Sequence, residues 1–100
     1  MYGVQNTSET PPDGVWFRNS PHTADTDRVT GLGVYMNEQV QLQCYGWGDA
    51  VGKFNDTLWY RVANVTRPTV EGRIDSGWLN AHYINDGKNA SQVDAGVSPC

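Results

Sequence analysis

The chain reads as a succession of short apolar runs, VWFR (15–18), DRVTGLGVY (27–35), QVQLQCYGW (39–47), LWYRVANVT (58–66) and GWLNAHYI (77–84). Gly, Asn, Asp and Pro punctuate these runs, and no window sustains the spacing of a three-turn helix. This punctuation predicts short strands of a small all-β barrel or sandwich. The clearest strand signal is Gln39 to Tyr45, where Val40, Leu42 and Cys44 alternate with Gln39, Gln41 and Gln43. One face of that strand is expected to be core and the other wet. Over 58–65, Leu58, Tyr60 and Val62 fall on one side, Trp59 and Arg61 on the other, and alternation alone leaves open which side is buried. Residues 1–14 are polar and aperiodic and end in Pro11-Pro12-Asp13-Gly14, which predicts a flexible N-terminal tether. One domain over 15–85 and an irregular tail over 86–100 follow.

One hundred residues allow one domain with one modest core. The net charge of -4, with only Lys53 and Lys88 as lysines and the arginines scattered, opposes binding to nucleic acid or to an anionic membrane. No apolar run is long enough to span a membrane and no signal segment stands at Met1, so a soluble chain is expected. Cys44 lies in the best strand and Cys100 is the last residue. A disulfide between them would tie the tail back near that strand and imply an oxidising, extracellular setting; two free thiols, one buried and one frayed, are the alternative. Two cysteines without CxxC spacing and two distant histidines make no zinc signature, so neither a metal site nor a cofactor is expected.

Ser20, His22, Asp25 and Asp27 are the residue types of a hydrolase, but they stand in a segment crowded with turn formers. A nucleophile needs rigid support and an oxyanion hole, and neither is suggested here. Turn and capping chemistry is the expectation, and the chain is not expected to be an enzyme. Asp25 and Asp27 lack the graded ligand spacing of a calcium loop.

The runs fall in an order that resembles the bacterial SH3-like (SH3b) domains of exported proteins. Val15-Trp16-Phe17-Arg18-Asn19-Ser20-Pro21 looks like the opening strand and its turn. Arg28-Val29-Thr30-Gly31 and Val40 to Cys44 resemble the second and third strands. Leu58-Trp59-Tyr60-Arg61-Val62 is similar to a "WYKV" strand, and Ser76-Gly77-Trp78-Leu79 with Tyr83 resembles the closing "GWV...Y" element. The match covers about 15–85. Asn37-Glu38 departs from the usual Gly-Asp turn, and two insertions, GWGDAVGKFND and NVTRPTVEGRID, are expected to be long loops. The resemblance implies an SH3-like barrel of about five to seven short strands, with His22 in an RT-type loop. It implies a secreted or wall-associated, non-catalytic module for bacterial cell-wall peptide or glycan; a composition rich in Asn, Thr, Gly and Trp looks actinobacterial. In that setting the sequons at Asn6, Asn55, Asn64 and Asn89 read as chance. A free-standing monomer that binds another secreted protein through the long loops is the other expectation.

Four Trp and five Tyr exceed what so small a core must contain, so some should be exposed. Trp78 reads as core packing. Tyr45, Trp47, Trp59, His82 and Tyr83 are the candidate ligand-binding residues, forming an apolar trough with polar tips; the place of Tyr83 rests on likeness to the eukaryotic relatives of the fold.

Overall fold

The computed structural model describes residues 2–4, 15–23, 25–35, 37–51, 55–85 and 92–100. They form strands β1 (Tyr2–Val4), β2 (Val15–Arg18), β3 (Arg28–Val34), β4 (Gln39–Val51), β5 (Asp56–Asn64), β6 (Thr69–Val70), β7 (Arg73–Ile74), β8 (Ser76–Asn80) and β9 (Ile84–Asn85). Single 3-10 turns occur at Asp25–Asp27 and Ala81–Tyr83. Seven strands make one antiparallel sheet in the order β3-β2-β8-β5-β4-β1-β9, while β6 and β7 pair as a separate hairpin. The protein is therefore all-β, as the punctuation predicts. The ladder does not close into a barrel: β3 and β9 end it.

β5 is central and resolves the question of parity. Leu58, Tyr60 and Val62 are fully buried and join Phe17, Leu32, Val34, Val40, Leu79 and Ile84 in the core. Trp59 is buried on the opposite face and Arg61 is exposed there.

β4 departs from simple alternation because its register against β5 shifts twice. Leu42 pairs with Val62 but Cys44 pairs with Arg61, so Gln43 is an extra residue in the ladder. A bulge of one residue exchanges the two faces downstream of it. Tyr45, opposite Tyr60, thus takes the core side, and Cys44 turns to the outer face, contrary to the alternation expected of it with Val40 and Leu42.

That outward turn is where the tail arrives. Cys44 and Cys100 form a disulfide with their Cα atoms 4.9 Å apart, and no cysteine remains free. Beside it Tyr45 N–H donates to Ser98 O (3.0 Å) and Cys100 N–H to Tyr45 O (2.9 Å). Further back, the Tyr60 hydroxyl donates to the buried Asp94 carboxylate (3.1 Å), while Asp94 N–H donates to that same hydroxyl oxygen (2.8 Å). Val93 and Val97 pack on the core, so residues 92–100 lie against the sheet; residues 86–91 of the expected tail are outside the described residues.

Two further expectations change. Tyr2–Val4, assigned to the tether, forms β1 between β4 and β9, with Tyr2 packed on the core; residues 5–14 lie outside the described residues. The two insertions are not simple loops. The first extends β4 to Val51, and the second contains the β6–β7 hairpin.

Candidate functional site

The residues around His22 satisfy one another as a folded turn. Ser20 Oγ and N–H both donate to Asp27 Oδ2, at 2.7 and 3.1 Å. His22 instead faces Asp49, Nδ1 to Oδ1 at 3.5 Å. Asp49 also accepts from Thr23 N–H (2.9 Å), and its own N–H donates to Pro21 O (3.0 Å). The Thr23 N–H, with His22 adding to it, holds the Asp49 carboxyl below its ordinary range. This docking needs Gly48, since a Cβ there would lie 1.9 Å from Pro21 O. The loop after β2 is thus clamped onto the second bulge of β4 by turn chemistry. The Asp25 side chain lies outside the described residues, and among those described no group of three or more His, Cys, Asp or Glu is placed to hold a metal ion.

The five expected trough residues fall into two groups. Trp59 and Tyr83 line a small cavity of about 40 Å³ together with Trp16, Thr23 and Val51. Trp59 is only 3 % exposed and donates Nε1–H to Asp49 O (2.9 Å) in β4, so its ring is held at the point where the loop is clamped. His82 meets Tyr83 edge-on at 5.4 Å, and both follow Asn80, whose side chain caps the 3-10 turn by accepting His82 N–H (2.8 Å). Tyr45 and Trp47 meet edge-on at 6.1 Å, but β4–β5 pairing places them on the other face of the sheet from Trp59. The bulge at Gln43 is the reason that the five do not share one surface. Trp78, expected in the core, also lies on the outer face, its ring against Gly46.

A larger cleft also borders Trp16. It holds about 270 Å³ and is lined by Trp16, Leu32, Tyr35, Arg67, Val70 and the backbone of β3. Trp16 and Tyr35 are the exposed rings here, 41 % and 49 % accessible. Each carries a guanidinium: Arg28 Cζ is 5.2 Å from the Trp16 ring centroid, and Arg67 Cζ is 4.9 Å from that of Tyr35. Trp16 could be found from the sequence, since strand alternation puts it opposite the buried Phe17. Tyr35 and Arg67 could not, because only the folded chain brings residues 32 apart in sequence together.

A buried polar cluster forms the floor of this region. Gly33 N–H donates to Asp75 Oδ1 (2.9 Å), and Asn64 Nδ2 donates to Asp75 Oδ2 (3.0 Å), Glu38 Oε1 (3.1 Å) and Gly33 O (3.4 Å). Arg67 donates to both Glu38 oxygens (3.2 Å each) and to Gly33 O (3.3 Å). Gly33 cannot be replaced without displacement, as a Cβ would lie 2.3 Å from Val15 O. At Gly33 the outer edge of β3 is therefore satisfied by side chains of the β5 end and the segment before β8. At that position the edge offers no unpaired backbone group to another strand. Burial pushes the Asp75 carboxyl above its ordinary range, against the Gly33 and Asn64 donors and the Arg67 charge. Burial would also raise Glu38, but Arg67, Tyr35 N–H and Asn64 outweigh it and hold the group below its ordinary range. The Glu38 bonds in turn raise Arg67.

Comparison with family models, with curated proteins and with solved structures finds no match to this chain.

Proposed function

We propose that the protein is a non-catalytic, extracellular recognition domain of SH3-like type, which takes a peptide or glycan of the bacterial cell wall in the cleft between Trp16 and Tyr35. The observation that carries this reading is the pair of exposed rings facing one cleft of about 270 Å³. Aromatic walls supply apolar contact at low entropic cost, with polar groups fixing orientation. The SH3-like part of the proposal is supported by where the similar segments fall: β2, β8, β5 and β4 carry four of them and are consecutive neighbours in the sheet. The disulfide is consistent with an oxidising, extracellular setting.

The test is sedimentation with purified cell walls. Trp16→Ala and Tyr35→Ala should each abolish co-sedimentation while leaving the cooperative unfolding transition in place. If both variants sediment like the parent, the cleft is not the binding site.

A second reading, binding of another secreted protein, is favoured by one observation: each insertion bears a large exposed apolar side chain, Trp47 (54 %) and Ile74 (71 %). Capture of a partner from culture supernatant that is lost in Trp47→Ala and Ile74→Ser, but kept in Trp16→Ala, would select this reading over the first.

A further inference from the structure

Resting on the reading of the Trp16–Tyr35 cleft as a ligand site, we infer that its ligand is an extended peptide read through a carboxylate. The chain carries a net charge of -4, yet three of its five arginines gather at this cleft. Arg67 lines it, Arg28 stacks on Trp16, and Arg73 Nη2 lies 2.6 Å from the point that a Cβ on Gly31 would occupy, beside the cleft's β3 wall. Arg67 is paired with Glu38 and Asp75, so it brings hydrogen-bond donors more than net charge, and the charge at the Trp16 wall is that of the exposed Arg28. Glu38 and Asp75 sit behind Arg67, with side chains 14 % and 0 % exposed. Arg67 spends Nε and Nη2 on Glu38 and Gly33, and among the described residues its Nη1 makes no hydrogen bond. Arg28 is exposed, and among the described residues its one contact of this kind is the Trp16 ring. One guanidinium with an N–H donor to spare, Arg67, therefore lines the apolar slot, and a second, Arg28, stands against its Trp16 wall. Planar donor forks of this kind match a carboxylate in charge and geometry.

The same geometry favours a peptide over a sugar. A guanidinium carbon lies 5.2 Å from the Trp16 centroid and 4.9 Å from that of Tyr35, so each ring meets a ligand beside a cation, a setting that the carboxylate of a peptide uses and a neutral sugar does not. Recognition runs through side chains, because Gly33 N–H and C=O at the β3 edge are taken by Asp75, Asn64 and Arg67 and cannot add a further strand.

The experiment follows the side-chain resonances of Trp16 Nε1–H and Arg28 Nε–H in the isotope-labelled full chain. The probes are acetyl-Leu-Glu-Leu-amide, acetyl-Leu-Gln-Leu-amide and chitotriose. The Glu peptide should shift both resonances and bind about tenfold more tightly than the Gln peptide, the ratio expected for one charge-assisted hydrogen-bonded pair. Arg28→Gln should bring the two peptides to equal affinity with the remaining spectrum unchanged. Equal binding of the two peptides to the parent protein would overturn the carboxylate inference while leaving the cleft as a site. Tighter binding of chitotriose at the same resonances would overturn it in favour of a glycan. No shift at Trp16 from any probe would overturn both this inference and the cleft reading beneath it.

Discussion

Asn64→Ala should be among the most damaging single truncations in this protein, although it removes only a small polar side chain. Asn64 is 1 % exposed, and its side chain donates and accepts at once. Its Nδ2 serves Asp75, Glu38 and Gly33, and its Oδ1 accepts Thr66 N–H and Arg67 N–H at 3.0 Å each. On truncation, Glu38 keeps Arg67 and Tyr35 N–H, and Gly33 O keeps Arg67. Among the described residues Asp75 Oδ2 then keeps only Arg67 Nη2 at 3.7 Å, beyond a hydrogen bond. Leaving a fully buried carboxylate oxygen unsatisfied costs about 1–3 kcal/mol or more, and losing the two backbone N–H partners at the β5 end adds roughly 1 kcal/mol. A loss of about 3 kcal/mol is the result, large against a total of about 5–15 kcal/mol. The pH dependence identifies the cause. Asp75 already titrates above its ordinary range because it is buried, and without Asn64 it should titrate higher still. A raised folded-state pKa favours the protonated form, so the penalty is full at neutral pH and shrinks as pH falls through the folded value. Urea unfolding of parent and variant, disulfide intact, at about pH 7 and about pH 4 measures both. A loss below about 1 kcal/mol, or the same loss at both pH values, would refute the account of this cluster.

Replacing Cys44 and Cys100 by Ser removes a crosslink spanning a sequence separation of 56, worth about 4 kcal/mol on the chain-entropy account, and calorimetry should show Tm lower by roughly 15–30 °C. Trp59→Ala should cost about 3–5 kcal/mol in chemical denaturation because the ring is buried and bonded to Asp49 O, whereas Trp47→Ala, at an exposed ring, should cost under about 1 kcal/mol; equal costs would contradict the placement of the two faces. Glu38 is held below its ordinary range, so the stability it contributes is present above that range and is lost as pH falls through the folded value. Glu38→Gln should therefore be less stable than the parent at neutral pH and should lose less on acidification, as read by the acid limb of thermal melts.

What the sequence determined by itself was what depends on neighbours along the chain. Turn residues between β-branched and aromatic runs specify strands, because the local chain has no apolar stripe to offer a helix. The alternation of Trp16 with Phe17, and of Leu58, Tyr60 and Val62 with Trp59 and Arg61, already separates two faces, and the folded core then chooses between them. Cys44 and Cys100 stand as candidate partners on position alone. The rest was decided by contacts between segments distant in sequence. One inserted residue at Gln43 leaves no mark in composition, yet it reverses Cys44 and Tyr45 and splits the aromatic trough that alternation would have joined. The loop carrying His22 docks on β4 only because Gly48 lets Pro21 approach that strand. Tyr35 meets Arg67, and Gly33 meets Asn64 and Asp75, only where the edge of β3 comes to lie against the end of β5. Buried backbone groups there must find partners wherever the folded chain supplies them, and no local pattern could announce which side chains would answer.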